Sequence, residues 1–361
     1  MRKVLLTGAS GYIGKHILLQ LLNQGYDVRA SVRNLSKSQE VRDAVAPHLL
    51  DSSALDKHLT FVELDLEKDS GWDSALDGID VLMHTASPFP IASPKDENEL
   101  IRPAVDGTLR AMRAAHRSGV KRVILTSSNA AVYGCDLPAG MNAYDETLWT
   151  DVNHPIGSVA YTKSKTLAER AAWDFVKSEA SEIELTTINP VLVLGAPLDK
   201  NFGSSISVVE RILKGKDPML PDLRFPIVDV RDVALMHVDA IKNDATKGER
   251  ILASSETMSF VEIAKYLKTL YPKSKTKTAQ APAFLIKFLA NFDGEIKAIL
   301  PLLGKPMITS GEKAKRIFGI SFIPAQVSVR ESADYLIKNG FIKLGGDGDG
   351  GDDVAFLATI A

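Results

Sequence analysis

Short apolar runs alternate with longer segments in which apolar residues recur every three or four positions, and the alternation holds for the first 190 residues. Val4–Thr7, Val28–Val32, Phe61–Leu64, Val81–Thr85, Arg122–Ser127 and Leu185–Asn189 read as strands. Over Tyr12–Gln24, the residues Ile13, Ile17, Leu18, Leu21 and Leu22 form a helical stripe that Gly25 closes. Asn98–Ser118, with Pro103 near its start, and Tyr161–Ser178 read as two more helices. Strands alternating with helices, joined by right-handed crossovers, predict an α/β fold with a doubly wound parallel sheet, the Rossmann fold.

After Pro190 the alternation breaks. Residues 195–225 hold a loop and one helix, Ile227–Val233 is expected to lead back towards the sheet, and Arg250–Ala253 is a candidate late strand. Residues 255–343 read as mainly helical and irregular. The expected organisation is a dinucleotide-binding domain of 1–189 and 226–254, a smaller substrate-binding part of 190–225 and 255–343, and a flexible tail of 344–361. That tail opens Gly345-Gly346-Asp347-Gly348-Asp349, a composition unable to build a core, and it lacks the Glu that ends a twelve-residue calcium loop.

The 361 residues are 45% hydrophobic and 24% charged, ordinary for a soluble chain, and 43 basic against 45 acidic residues give a net charge of -2. No basic excess draws the chain to nucleic acid or to a membrane surface. No run approaches the roughly 18 apolar residues of a membrane span. One cysteine, Cys135, excludes an internal disulfide. With no cleavable leader legible ahead of the first strand, the expected compartment is the cytoplasm. No metal site is expected, and the expected assembly is a monomer or homodimer.

The first strand runs into Thr7-Gly8-Ala9-Ser10-Gly11-Tyr12-Ile13-Gly14. Gly8 allows a tight turn, Gly11 lets backbone approach a phosphate, and Gly14 lets helix and strand pack closely, so a pyrophosphate is expected against the helix N-terminus. Ser10, Tyr12 and Ile13 fall inside the same turn. A site for NAD places a carboxylate at the end of the second strand. Here that stretch reads Arg29-Ala30-Ser31-Val32-Arg33-Asn34, with Arg33 where the acid would stand and Lys37 beyond it. Two cations suit a 2′-phosphate, which favours NADP (NADPH) over NAD. Asp65 and Leu66 are placed for the adenine, and Thr85, Ala86 and Ser87 for backbone contact along the cofactor.

Tyr161 and Lys165 are four residues apart and share a helix face. A nearby ammonium favours the phenolate, so Lys165 is expected to lower the phenol from its usual pKa of about 10. Ser128 follows the fifth strand at the carboxyl edge, where its hydroxyl can hold a carbonyl oxygen. Ser127 is its neighbour and rival.

On these residues the chain resembles the extended branch of the short-chain dehydrogenase/reductases, and within it the dihydroflavonol-4-reductase-like carbonyl and aldehyde reductases. The matching runs are Thr7–Gly14, His84-Thr85-Ala86-Ser87-Pro88, Thr126-Ser127-Ser128, Tyr161-Thr162-Lys163-Ser164-Lys165, Asn189-Pro190, Ala168–Trp173 and Val228–Ala234. The resemblance spans roughly residues 1–340. It implies a Ser128–Tyr161–Lys165 triad, with Tyr161 as general acid, Lys165 also binding the nicotinamide ribose, and Pro190 beside the nicotinamide. Tyr133 stands where plant flavonoid reductases tend to carry an asparagine, which turns the expectation from a flavonoid towards a smaller aldehyde or ketone. Phe89, Asn129, Tyr133, Met219 and Arg224 are the candidate substrate-pocket residues.

Two other readings share this pattern. A nucleotide-sugar epimerase or dehydratase would keep NAD bound, and Arg33 argues against it. A non-catalytic dinucleotide sensor has no need of the Tyr161–Lys165 pair.

Overall fold

The computed structural model describes residues 2–87, 96–292 and 294–345. Its strands are β1 Lys3–Thr7, β2 Asp27–Val32, β3 Leu59–Glu63, β4 Val81–His84, β5 Arg122–Thr126, β6 Glu184–Pro190, β7 Leu192–Leu194, β8 Arg224–Asp229, β9 Glu249–Ala253 and β10 Glu256–Ser259. Seven of them form a parallel sheet in the order β3-β2-β1-β4-β5-β6-β9. The strand order turns back between β1 and β4, and that switch point opens a crevice at their carboxyl ends. This is the doubly wound Rossmann arrangement that the hydrophobic pattern predicts.

Strands buried on both faces need apolar residues throughout, and β1 and β4 are buried from Val4 to Thr7 and from Val81 to His84. Helix Tyr12–Asn23 covers one face through Ile17, Leu18, Leu21 and Leu22, in the same core as Val4, Leu6, Val28 and Ala30. On the other face, Leu5, Leu82, Val123 and Leu185 share a core with Trp72, Met112 and Phe175. Pro103 lies inside helix Asn98–Arg117, in its first two turns. That helix packs on helix Ala160–Ser178.

Residues 227–233 differ from the expectation that they lead back towards the main sheet. β8 joins a second sheet of order β10-β8-β7, parallel to β7 and antiparallel to β10, and Val230–Asp239 is a helix capped by the Asp229 carboxylate. A chain that turns from strand to helix at Asp229 cannot reach the main sheet there. Arg250–Ala253 does join it, as the edge strand β9. A third core surrounds the small sheet, with Phe202, Ile206, Phe260 and Val329 among its members. Among the described residues, no helix is long and apolar enough to cross a membrane.

Candidate active site

The glycine turn is closed so tightly that side chains are excluded. Gly8 has φ +71°, and a Cβ there would lie 2.8 Å from the Ala86 backbone nitrogen. A Cβ on Gly14 would stand 2.2 Å from the Gly8 carbonyl oxygen. Thr7 ties β1 to β4: its hydroxyl bonds His84 Nδ1 at 2.8 Å and accepts from the amides of Thr85 and Ala86. Gly11 caps the following helix without a side-chain hydrogen bond, so the first amides of that helix keep their donors for a ligand.

The turn forms the floor of a cavity of about 550 Å³. Of the residues expected to hold a dinucleotide, Gly8, Ser10, Gly11, Arg33, Lys37, Leu66, Thr85, Ala86 and Ser87 line it. Open amides at one end and two exposed cations at the other suit a phosphorylated dinucleotide. Lys37 is paired with Glu40 at 2.8 Å, and Glu40 lines the same cavity. Trp72, Leu64 and Leu66 give an apolar wall. Asp65 lies apart from the lining: it accepts from the Glu67 amide, which holds its carboxyl low, and pairs with Lys68. Tyr12 and Ile13 turn their side chains into apolar cores. Pro190 is buried at the end of β6, opposite Ala253.

Three residues of the first helix are tied to the segment after β7. Tyr12 donates to the Gly195 carbonyl at 2.9 Å, and the His16 ring contacts the Ala196 carbonyl at 3.2 Å. Burial lowers His16 to a pKa of about 4, so the ring is neutral. Lys15, only 2% exposed, pairs with Asp199 at 2.5 Å. Asn201, from the same segment, reaches the cavity.

The triad candidates do not line this cavity; they meet beyond Ser87. The Ser128 side chain stands close enough to the Tyr161 phenol to pull its pKa down against burial. Ser128 Oγ also accepts from the Ala130 amide at 3.1 Å. Ser127 is turned away, donating to the buried Glu169 carboxylate at 2.5 Å. Neighbouring residues on an extended chain face opposite sides, which separates two hydroxyls that adjoin in the sequence. Lys165 donates to Ser87 Oγ at 2.8 Å, and its Nζ stands 5.7 Å from the centre of the Tyr161 ring.

The expected lowering of the Tyr161 pKa is not what this geometry produces. Burial pushes the phenol up to about 12, against the opposing hydrogen bond from Ser128. Lys165 is brought down to about 8, also by burial. A buried phenol is protonated at neutral pH and suited to give a proton rather than take one.

Of the substrate-pocket candidates, Asn129 Oδ1 lies 3.4 Å from Ser128 Oγ. Tyr133 is buried beside Tyr161, and burial pushes its phenol up. Met219 is half-buried in the turn before Leu220, and exposed Arg224 begins β8 opposite Ser259. Phe89 lies outside the described residues. Trp72, Asn34, Glu40 and Asn201 line the cavity without a sequence signal; only Glu40, three residues after Lys37, could have been paired from spacing. Cys135 is half-buried and its thiol is pushed up by burial. Among the described residues, no cluster of three His, Cys, Asp or Glu could hold a metal ion.

A model of the NAD dependent epimerase/dehydratase family matches residues 4–253. The chain belongs to this family, the extended short-chain dehydrogenase/reductases. It is 33% identical over 344 residues to cinnamoyl-CoA reductase CAD2 of Medicago truncatula, covering 94% of this chain and 97% of that one. It is 34% identical over 356 residues to ketoreductase azaE of Aspergillus niger, covering 93% and 98%. The structure of yeast methylglyoxal/isovaleraldehyde reductase Gre2 complexed with NADPH superposes with a TM-score of 0.75 at 25% identity, covering 94% of this chain and all of that one. The family match covers the glycine turn, Ser128, Tyr161, Lys165 and β9.

Proposed function

We propose that this protein is an NADPH-dependent reductase that converts an aldehyde or ketone to an alcohol. The observation that carries the reading is the convergence of Ser128, Tyr161 and Lys165, with the Lys165 ammonium held by Ser87 on the rim of the cavity. The relatives named reductases and the NADPH complex of Gre2 support the same reading. Arg33 and Lys37 receive the 2′-phosphate, the open helix amides after Gly11 receive the pyrophosphate, and the residues 1–189 and 226–254 carry these contacts. The bound cofactor supplies a hydride.

The chain's own residues do the rest. Ser128 Oγ holds the carbonyl oxygen next to the phenol. Tyr161, kept neutral by burial, gives its proton to that oxygen as negative charge develops. Lys165 keeps a positive charge beside the phenolate left behind and reaches the ribose edge of the cavity. Tyr133 and Asn129 flank the reacting carbonyl, and the parts 190–225 and 255–343 close the substrate side.

A panel of aliphatic and aromatic aldehydes, diketones, keto esters and a dihydroflavonol, followed by NADPH absorbance, tests the reading. Turnover with NADPH and little with NADH supports it. Protein that carries NAD through purification and oxidises no NADPH on any panel member would instead be an epimerase or dehydratase.

A further inference from the structure

Glu169 follows Tyr161 and Lys165 by one more helical step of four, so all three side chains share one face of helix Ala160–Ser178. Its carboxylate is fully buried. Five donors converge on it. Ser127 Oγ and Asn189 Nδ2 reach Oε2 at 2.5 and 2.6 Å. Arg250 Nε, Thr187 Oγ1 and Trp173 Nε1 reach Oε1 at 2.5, 3.3 and 3.4 Å. The guanidinium of Arg250 then spends its remaining donors on loop carbonyls, those of Glu146 and Leu148 at 2.8 Å and Ala131 at 3.3 Å, and it lies 3.5 Å from the centre of the Trp149 ring.

One arm of this network ends at the reacting groups. Asn189 Nδ2, besides bonding Glu169, donates to the Ser128 carbonyl at 3.0 Å. Its Oδ1 is buried and has no hydrogen-bond partner among the described residues. Turning the amide over would aim that oxygen at two acceptors, so Glu169 also fixes which way Asn189 faces. The Ala131 carbonyl held by Arg250 ends the short turn Asn129–Ala131, within which the Ala130 amide holds Ser128 Oγ.

We propose that Glu169, with Arg250, is a positioning residue that sets the Ser128 hydroxyl against the Tyr161 phenol. The pair pins the end of β5, β6 and β9 to the helix that carries Tyr161. The proposal rests on the triad reading above. A helix glutamate paired with a strand arginine could simply cement the core, so the test must separate position from stability.

Glu169→Gln keeps the shape and removes the charge. Turnover is expected to fall by about tenfold to a hundredfold, the range for a small misplacement of reacting groups, with NADPH affinity by fluorescence unchanged within about twofold. Glu169→Gln/Arg250→Met removes both charges and is expected to recover melting temperature but not turnover. A second readout needs no turnover: in protein carrying 13C at the tyrosine ring Cζ, the Tyr161 resonance, identified by its loss in Tyr161→Phe, should shift in Glu169→Gln. Should Glu169→Gln fail to fold, Ser127→Ala removes one donor to the carboxylate and is expected to move the same resonance by less. An unmoved Tyr161 resonance, or turnover that recovers together with melting temperature in the double variant, overturns the proposal. Wild-type protein inactive on every carbonyl would sink the reductase reading and leave the resonance to decide the positioning.

Discussion

Lys165 is held by Ser87, not by the Tyr161 hydroxyl: its Nζ donates to Ser87 Oγ at 2.8 Å, while the Tyr161 ring centre lies 5.7 Å away. The hydrogen bond of the ammonium thus serves the residue that follows β4 on the rim of the cavity. Lys165 and Tyr161 should therefore fail differently when altered.

Tyr161→Phe removes a hydroxyl and little volume, so the fold and NADPH binding are expected to survive. Turnover should drop by about a hundredfold to ten-thousandfold, the worth of a general acid. Lys165→Ala should lower turnover and weaken NADPH together. Steady-state kinetics beside cofactor titration by fluorescence reads both; full activity in Tyr161→Phe would end the mechanism.

The pH profile follows from the same pair. With Lys165 brought down to about 8, kcat/KM for the carbonyl should fall as pH rises through about 8 and the ammonium is lost. Tyr161, pushed up to about 12, stays protonated across that range. Lys165→Arg should carry the alkaline limb upward, since a guanidinium keeps its charge. A limb unmoved by that substitution would assign it to another group.

Arg33→Ala should weaken NADPH by roughly tenfold to a hundredfold, the worth of a charge-assisted contact, and leave NADH nearly unchanged. Glu40→Gln should do the opposite, because it frees Lys37 from an exposed pair and removes a carboxylate from the phosphate end. Dissociation constants for both cofactors on both variants check this. Equal losses for NADPH and NADH in Arg33→Ala would remove Arg33 from the 2′-phosphate site.

Asp232 gives a stability prediction. Burial raises its carboxyl to about 6, above the unfolded value, so the protonated form favours the fold. Stability from this group is fully present below about pH 4 and is lost as pH rises through about 6. Asp232→Asn keeps an acceptor for the Ile323 amide and should stabilise by about 1–3 kcal/mol at pH 7.5, with little effect at pH 4. Thermal unfolding at the two pH values decides it; equal shifts at both would show that charge burial is not the cause.

Strands β1 to β6 and the glycine turn were legible because each is short-range: an apolar run, a turn residue, a helical stripe. β7, β8 and β10 were not, since they lie after Pro190, where the strand–helix alternation breaks, and pair in a second sheet. Ser128 was legible over Ser127 only through the family resemblance, while the direction of each hydroxyl belongs to the fold. Glu169 reads as an ordinary helix-surface charge until β9 brings Arg250, 81 residues later, against it. The pKa of Tyr161 misled for the same reason: the neighbouring charge is visible in sequence, while burial is a property of the folded whole.

The place of β9 at the sheet edge has a consequence for synthesis. On a chain leaving the ribosome, β6 keeps an open parallel edge until residues 249–253 emerge. Until then Glu169 is a buried acid without its arginine, and the loop carbonyls of Glu146 and Leu148 lack their donor. A nascent chain halted near residue 245 should hold neither a finished sheet nor a formed Ser128 edge. The edge that carries Ser128 is completed only with β9, which leaves the half-made protein dependent on whatever shields an unpaired strand.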